Sequence, residues 1–134
     1  MSGSRLRLVV TNPYEGGNLR QVIAIGRAVA CAAGGRIIFL SAEVWGSGLV
    51  IHFAETLPPF ERPNPGGHLG WTLQDTAGTS YFAVGGHRGG KDTELAVGSQ
   101  EFVPAPPPEV TKLLIVGPRM RADDAVEIAL TQPR

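Results

Sequence analysis

RIIFLSAEVWGSGLVIHFAETL, residues Arg36–Leu57, decides the fold. Two apolar-rich runs, Arg36–Trp45 and Leu49–Leu57, flank Gly46-Ser47-Gly48. Taken with a strict period of two, Ile38, Leu40, Ala42 and Val44 share one face of the first run, with Glu43 opposite. In the second run Leu49, Ile51 and Phe53 fall on one face, and Val50, His52 and Ala54 on the other. Alternation in β-branched and aromatic residues across a short Gly loop predicts a β-hairpin. A lone hairpin leaves one apolar face wet, so further strands must cover it.

Working outward, the totals agree with an all-β chain. The 134 residues read as one domain, 1–134, large enough to bury roughly two thirds of the surface of the unfolded chain. Gly at 18 and Pro at 11 favour many short elements and many turns over long helices. Twelve basic and twelve acidic side chains cancel, which argues against nucleic acid or an anionic membrane as a partner. A membrane-spanning helix needs ~20 consecutive apolar residues, and no such run exists. A single cysteine, Cys31, allows no internal disulfide and no four-cysteine zinc site. MSGSRLRLVV carries too short an apolar run for a signal peptide, so the chain as given reads as cytoplasmic. Met1–Ser4 reads as disordered or as a cloning remnant, and a remnant would leave room for an export signal once present upstream.

Before the central hairpin, Arg5–Thr11 alternates as an edge strand, and Asn12–Asn18 is dense in turn formers. Leu19–Ala33 reads as two short strand pieces around Gly26, the second pairing with Arg36–Trp45 through Gly34-Gly35. After the hairpin, Leu57–His68 holds four prolines and must be a surface connection. Gly70–Thr76 and Thr79–Val84 read as another hairpin, with Trp71, Leu73 and Tyr81 together and Asp75–Gly78 as its turn. Asp75 has a local reason to open that turn, because its carboxylate can accept turn amide protons. Gly85–Thr93 reads as a Gly-rich loop, Glu94–Val103 and Val110–Val116 as strands. Ala125–Leu130 alternates Val126, Ile128 and Leu130 with Glu127 and reads as strand, a short helix from Asp123-Asp124 being the alternative. About eight strands with a turn every ten residues or so predict a sandwich or barrel.

These residues carry a resemblance. Gly26–Val29, Gly34-Gly35, Leu73–Tyr81, Phe102-Val103-Pro104 and Leu113-Leu114-Ile115 resemble, in order and spacing, a group of small bacterial immunoglobulin-like sandwiches of unknown function. The resemblance spans roughly Gly26–Leu130 and rests on strands and turns. It implies an immunoglobulin-like antiparallel β-sandwich of seven to nine strands without catalysis, in a group often exported or lipid-anchored. The start of this chain departs from it in carrying no export signal.

No motif demands an enzyme. Gly85–Asp92 fits G-x-x-x-x-G-K, but Asp92 stands where a phosphate loop needs Ser or Thr, and no helix follows. His52, His68 and His87 lack the close spacing of metal ligands. No Gly-x-Ser-x-Gly elbow surrounds Ser41, Ser47, Ser80 or Ser99. No cofactor is implied. The expected function is a non-catalytic binding module presenting loops on a sheet frame, its ligand an unknown protein or an anion. The alternative is a small metal-dependent hydrolase with a loop-lined histidine site. Alternating strand directions should gather His68, His87, Arg88, Lys91, Arg119 and Arg121 at one end of the sandwich, forming a basic loop cluster. An open edge strand would also allow pairing with a second copy.

Overall fold

The computed structural model describes residues 12–15, 17–30, 35–56, 71–89, 95–117 and 125–131, with backbone only at Arg88 and Leu95. Within them lie eight strands: β1 Leu19–Ala30, β2 Arg36–Trp45, β3 Leu49–Thr56, β4 Thr72–Gln74, β5 Phe82–Gly89, β6 Leu95–Val103, β7 Lys112–Val116 and β8 Val126–Ala129. They form a five-stranded sheet, β1-β2-β3-β6-β5, and a three-stranded sheet, β4-β7-β8, with every pairing antiparallel. The fold is an all-β sandwich. No helix among the described residues is long and apolar enough to cross a membrane. The expected strand Arg5–Thr11, Cys31 and the proline-rich connection lie outside the described residues.

The central hairpin forms as its alternation predicts. β2 and β3 pair from Val44↔Leu49 to Arg36↔Thr56, and Trp45 N donates to Gly48 O at 2.8 Å across the turn. One face assignment is corrected. Ile37 and Phe39 are fully buried, whereas Ile38 is half-buried and Leu40 is 45% exposed. The register shifts between Phe39 and Ser41, so Leu40 is an extra residue on β2. A bulge changes the parity of every position beyond it, which is why Ala42 and Val44 return to the core as expected.

Bulges account for other departures too. Leu19–Ala30 is one strand, not two pieces. The ladder to β2 slips by one residue between Ala24 and Arg27, and Gly26 takes up the slip with φ 65°. A left-handed residue at a bulge suits glycine, whose missing Cβ removes the steric cost. Gly85–Gly89, expected in a loop, completes β5 and pairs with β6 from Glu101 to Val97. β6 likewise continues through Gly98.

The expected hairpin on either side of Asp75–Gly78 is a connection between sheets instead. β4 pairs with β7, while β5 pairs with β6. The turn holds through Asp75: Oδ1 accepts from the amides of Ala77 (2.9 Å) and Thr79 (3.1 Å), and Oδ2 accepts from the Tyr81 hydroxyl at 2.6 Å. Burial opposes ionisation of Asp75, but these donors outweigh it and hold the carboxyl below its usual range. Burial, then the bond to Asp75, raises the Tyr81 hydroxyl above its usual range.

The core fills the space between the sheets. Trp71, 5% exposed, stands edge-on to Phe39 (5.0 Å) and Phe53 (4.8 Å). Leu113, Ile115, Val126 and Ile128 supply the opposite wall. β8 is a strand whose alternating buried positions face that core. Beside it, the Gln21 side chain donates to Thr131 O and accepts from Thr131 N, each at 3.0 Å. One side-chain amide thus supplies the bonds a neighbouring strand would make, and closes the seam between the sheets.

Candidate functional site on the outer sheet face

Because side chains alternate, the residues of the five-stranded sheet that do not enter the core form a second, outward face. Two registered rows cross its middle. One runs Ser41, His52, Ser99 and His87 over β2, β3, β6 and β5. The other, one step nearer the Gly46–Gly48 turn, runs Glu43, Val50, Glu101 and Gly85.

The rows are bonded together. His52 Nε2 lies 3.0 Å from Glu43 Oε2, a diagonal cross-strand pair, and Trp45 Nε1 donates to Glu43 Oε1 at 3.1 Å. Ser99 Oγ and His87 Nδ1 are 3.1 Å apart. Gln100, on the inner side, donates to Gly85 O at 2.7 Å and secures the irregular stretch of β5. Gly86 is required there. It has φ 150°, and a Cβ on it would strike the Ser99 carbonyl.

A short strap, Asn12–Glu15, crosses the turn end of this face. Asn12 Oδ1 accepts from Tyr14 N at 2.9 Å, and Gly17 N donates to Tyr14 O at 2.8 Å. Pro13 is buried on Gly48, where an added Cβ would lie 2.8 Å from the Pro13 Cβ. Tyr14 then reaches down the face. Its ring stands edge-on to Trp45 at 4.9 Å, and its hydroxyl donates to Glu101 Oε2 at 3.4 Å. Burial raises the Tyr14 pKa, and the charges of Glu101 and Glu43 raise it further, so at neutral pH it remains a donor.

Apolar exposure is concentrated on the same sheet. Val22 and Phe82 are each 62% exposed and Val97 52%, and Leu19, Leu40 and Val84 are exposed as well. Among the described residues, no large exposed apolar side chain lies on the three-stranded sheet.

Of the basic cluster expected from the sequence, only His87 and the backbone of Arg88 are described, and both lie in β5 and not in a loop. His68, Lys91, Arg119 and Arg121 lie outside the described residues. Sequence reasoning missed Tyr14, Glu43, Trp45, Ser99 and Glu101 as a group. The hairpin register alone could have joined Glu43 to His52, whereas β6 reaches them from the far side of a long connection.

Chemically, this is a surface of donors, acceptors and apolar side chains. Ser99 is buried in mid-strand, and the bonded partner of His87 is that serine, with no carboxylate among the described residues orienting the ring. Among the described residues no three His, Cys, Asp or Glu side chains are grouped to hold a metal ion. Comparison with family models, curated proteins and solved structures returned no match.

Proposed function

We propose that the chain is an immunoglobulin-like sandwich acting as a non-catalytic binding module, with the outer face of the five-stranded sheet as its contact surface. One observation carries the functional reading: among the described residues, the exposed apolar side chains gather on the sheet that also bears the Tyr14, Glu43, His52 and Glu101 array. Scattered apolar residues on a surface need no explanation, but their confinement to one face with a polar array between them does.

The strand order supports the fold reading. β2-β3-β6-β5 opposite β4-β7-β8 corresponds to the ABED and CFG sheets of a constant-type immunoglobulin domain, with β1 added beyond the A position. Trp71, at the start of the strand in the C position, packs on Phe53 of the strand in the B position, as the core tryptophan of that fold does.

Metal content and turnover test the non-catalytic reading. The purified protein should carry metal well below one equivalent and hydrolyse no ester or phosphoester in a broad screen. Stoichiometric metal, or turnover lost in His87→Ala, would overturn it in favour of a hydrolase.

A further inference from the structure

Each half of the outer face has what the other lacks. Towards the Gly46–Gly48 turn the surface is raised by the Asn12–Glu15 strap and carries Trp45, Phe82 and the acceptors Glu43 and Glu101. Towards the other end it carries the imidazoles of His52 and His87, and then a row with Ala28, Ile38, Val97 and Gly89, where no side chain is larger than isoleucine.

We propose that this face is the interface of a two-fold homodimer, its occupant a second copy of the chain. The proposal rests on the binding-face reading above and names the partner. Consider a two-fold axis lying in the plane of the face, across the strands, between the Glu43–Glu101 row and the His52–His87 row. It turns the second copy over and lays carboxylates on imidazoles, so that each Glu101 comes to rest between the His52 and His87 of the other chain. The same operation sets Trp45 and Phe82 above the positions of Ile38 and Gly89, the raised half on the low half. One axis thus matches acceptor to donor and large to small, which makes the face complementary to itself. A zero net charge adds no long-range repulsion between copies.

The area suffices. Five strands at about 4.8 Å spacing and eight residues at about 3.3 Å rise give about 600 Å² per copy. The pair would bury about 1,200 Å², above the ~1,000 Å² that a specific interface clears.

Sedimentation equilibrium from low micromolar to several hundred micromolar tests this on the whole chain. The parent should approach twice the 14.2 kDa of one chain. Val97→Glu, and independently Val22→Lys, should raise the dimer dissociation constant at least about tenfold with an unchanged circular dichroism spectrum. Glu101→His and His87→Glu should each weaken the dimer, and the double exchange should restore it, which a role in folding alone would not produce. A parent that stays monomeric throughout overturns the second-copy proposal and leaves the binding face to a different partner. A dimer indifferent to all four substitutions also overturns it, because the contact then lies elsewhere, for example on an edge strand. The binding reading itself falls only on the metal and turnover assays.

Discussion

Trp71→Ala is the sharpest test of how the two sheets are held together. The indole is 5% exposed and touches Phe39 on β2 and Phe53 on β3 from the opposite sheet. Removing a buried tryptophan strips roughly 200 Å² of apolar area, worth about 5 kcal/mol at 25 cal/mol per Å². Two edge-to-face contacts add to the loss. Against it stand residual burial in the unfolded chain and relief of the indole Nε1, which is buried with no hydrogen-bond partner among the described residues. The net expectation is about 4 kcal/mol, inside the range seen for such truncations. At roughly 2.1 cal/mol/K per residue, a 134-residue chain unfolds with an entropy of about 0.28 kcal/mol/K, so Tm should fall by about 14 °C. Trp71→Phe keeps most of the ring contacts and removes the stranded N–H, so it should cost less than half as much. Thermal unfolding followed by far-ultraviolet circular dichroism reads both. A fall under about 3 °C for Trp71→Ala would refute the packing account.

Three further outcomes follow from local geometry. Gly86→Ala drives a Cβ into the Ser99 carbonyl at a glycine-favouring φ and should cost about 1–3 kcal/mol, while Gly89→Ala, with open space at its Cβ, should be near neutral by the same melt. Asp75→Asn should melt below the parent at pH 7 and converge with it in acid. The folded carboxyl titrates below its unfolded range, so its contribution is full above about pH 4 and is lost as pH falls through the folded value. Magnesium-ATP should leave Tm unchanged, because Gly85–Gly89 is engaged in the β5–β6 ladder and does not form a phosphate cradle; a saturable rise abolished by Lys91→Ala would reverse that.

The hairpin at Arg36–Thr56 was legible because its alternation and its turn are both local. Its face pattern was legible only from Ser41 onward, since a period of two carries no mark for the extra residue at Leu40. Gly26 did signal an interruption, but a bulge and a break look alike in sequence, and backbone pairing to β2 decides between them. Gly85-Gly86 read as loop because glycine weakens a strand. The ladder to β6 and the Gln100 side chain supply what propensity lacks. Asp75 was read correctly as a turn residue, yet nothing local says that the chain changes sheets there. The outer-face array was illegible for a related reason. Glu43 and Glu101 become neighbours of one tyrosine only through β3–β6 pairing, a contact between distant parts of the chain.

β1 is twelve residues long and, among the described strands, forms one margin of its sheet, with a row of backbone groups facing away from β2. Such a margin can recruit strands from other molecules and grow into a fibre. Here the row is uneven. The ladder slips near Arg20 and again at Gly26, two arginines, Arg20 and Arg27, stand beside those slips, and Gln21 fastens the strand to Thr131. An incoming strand with regular spacing would find its amides out of step twice along the length. Deleting Gly26 would remove one of the two slips and lengthen the regular stretch of β1 open to an incoming strand.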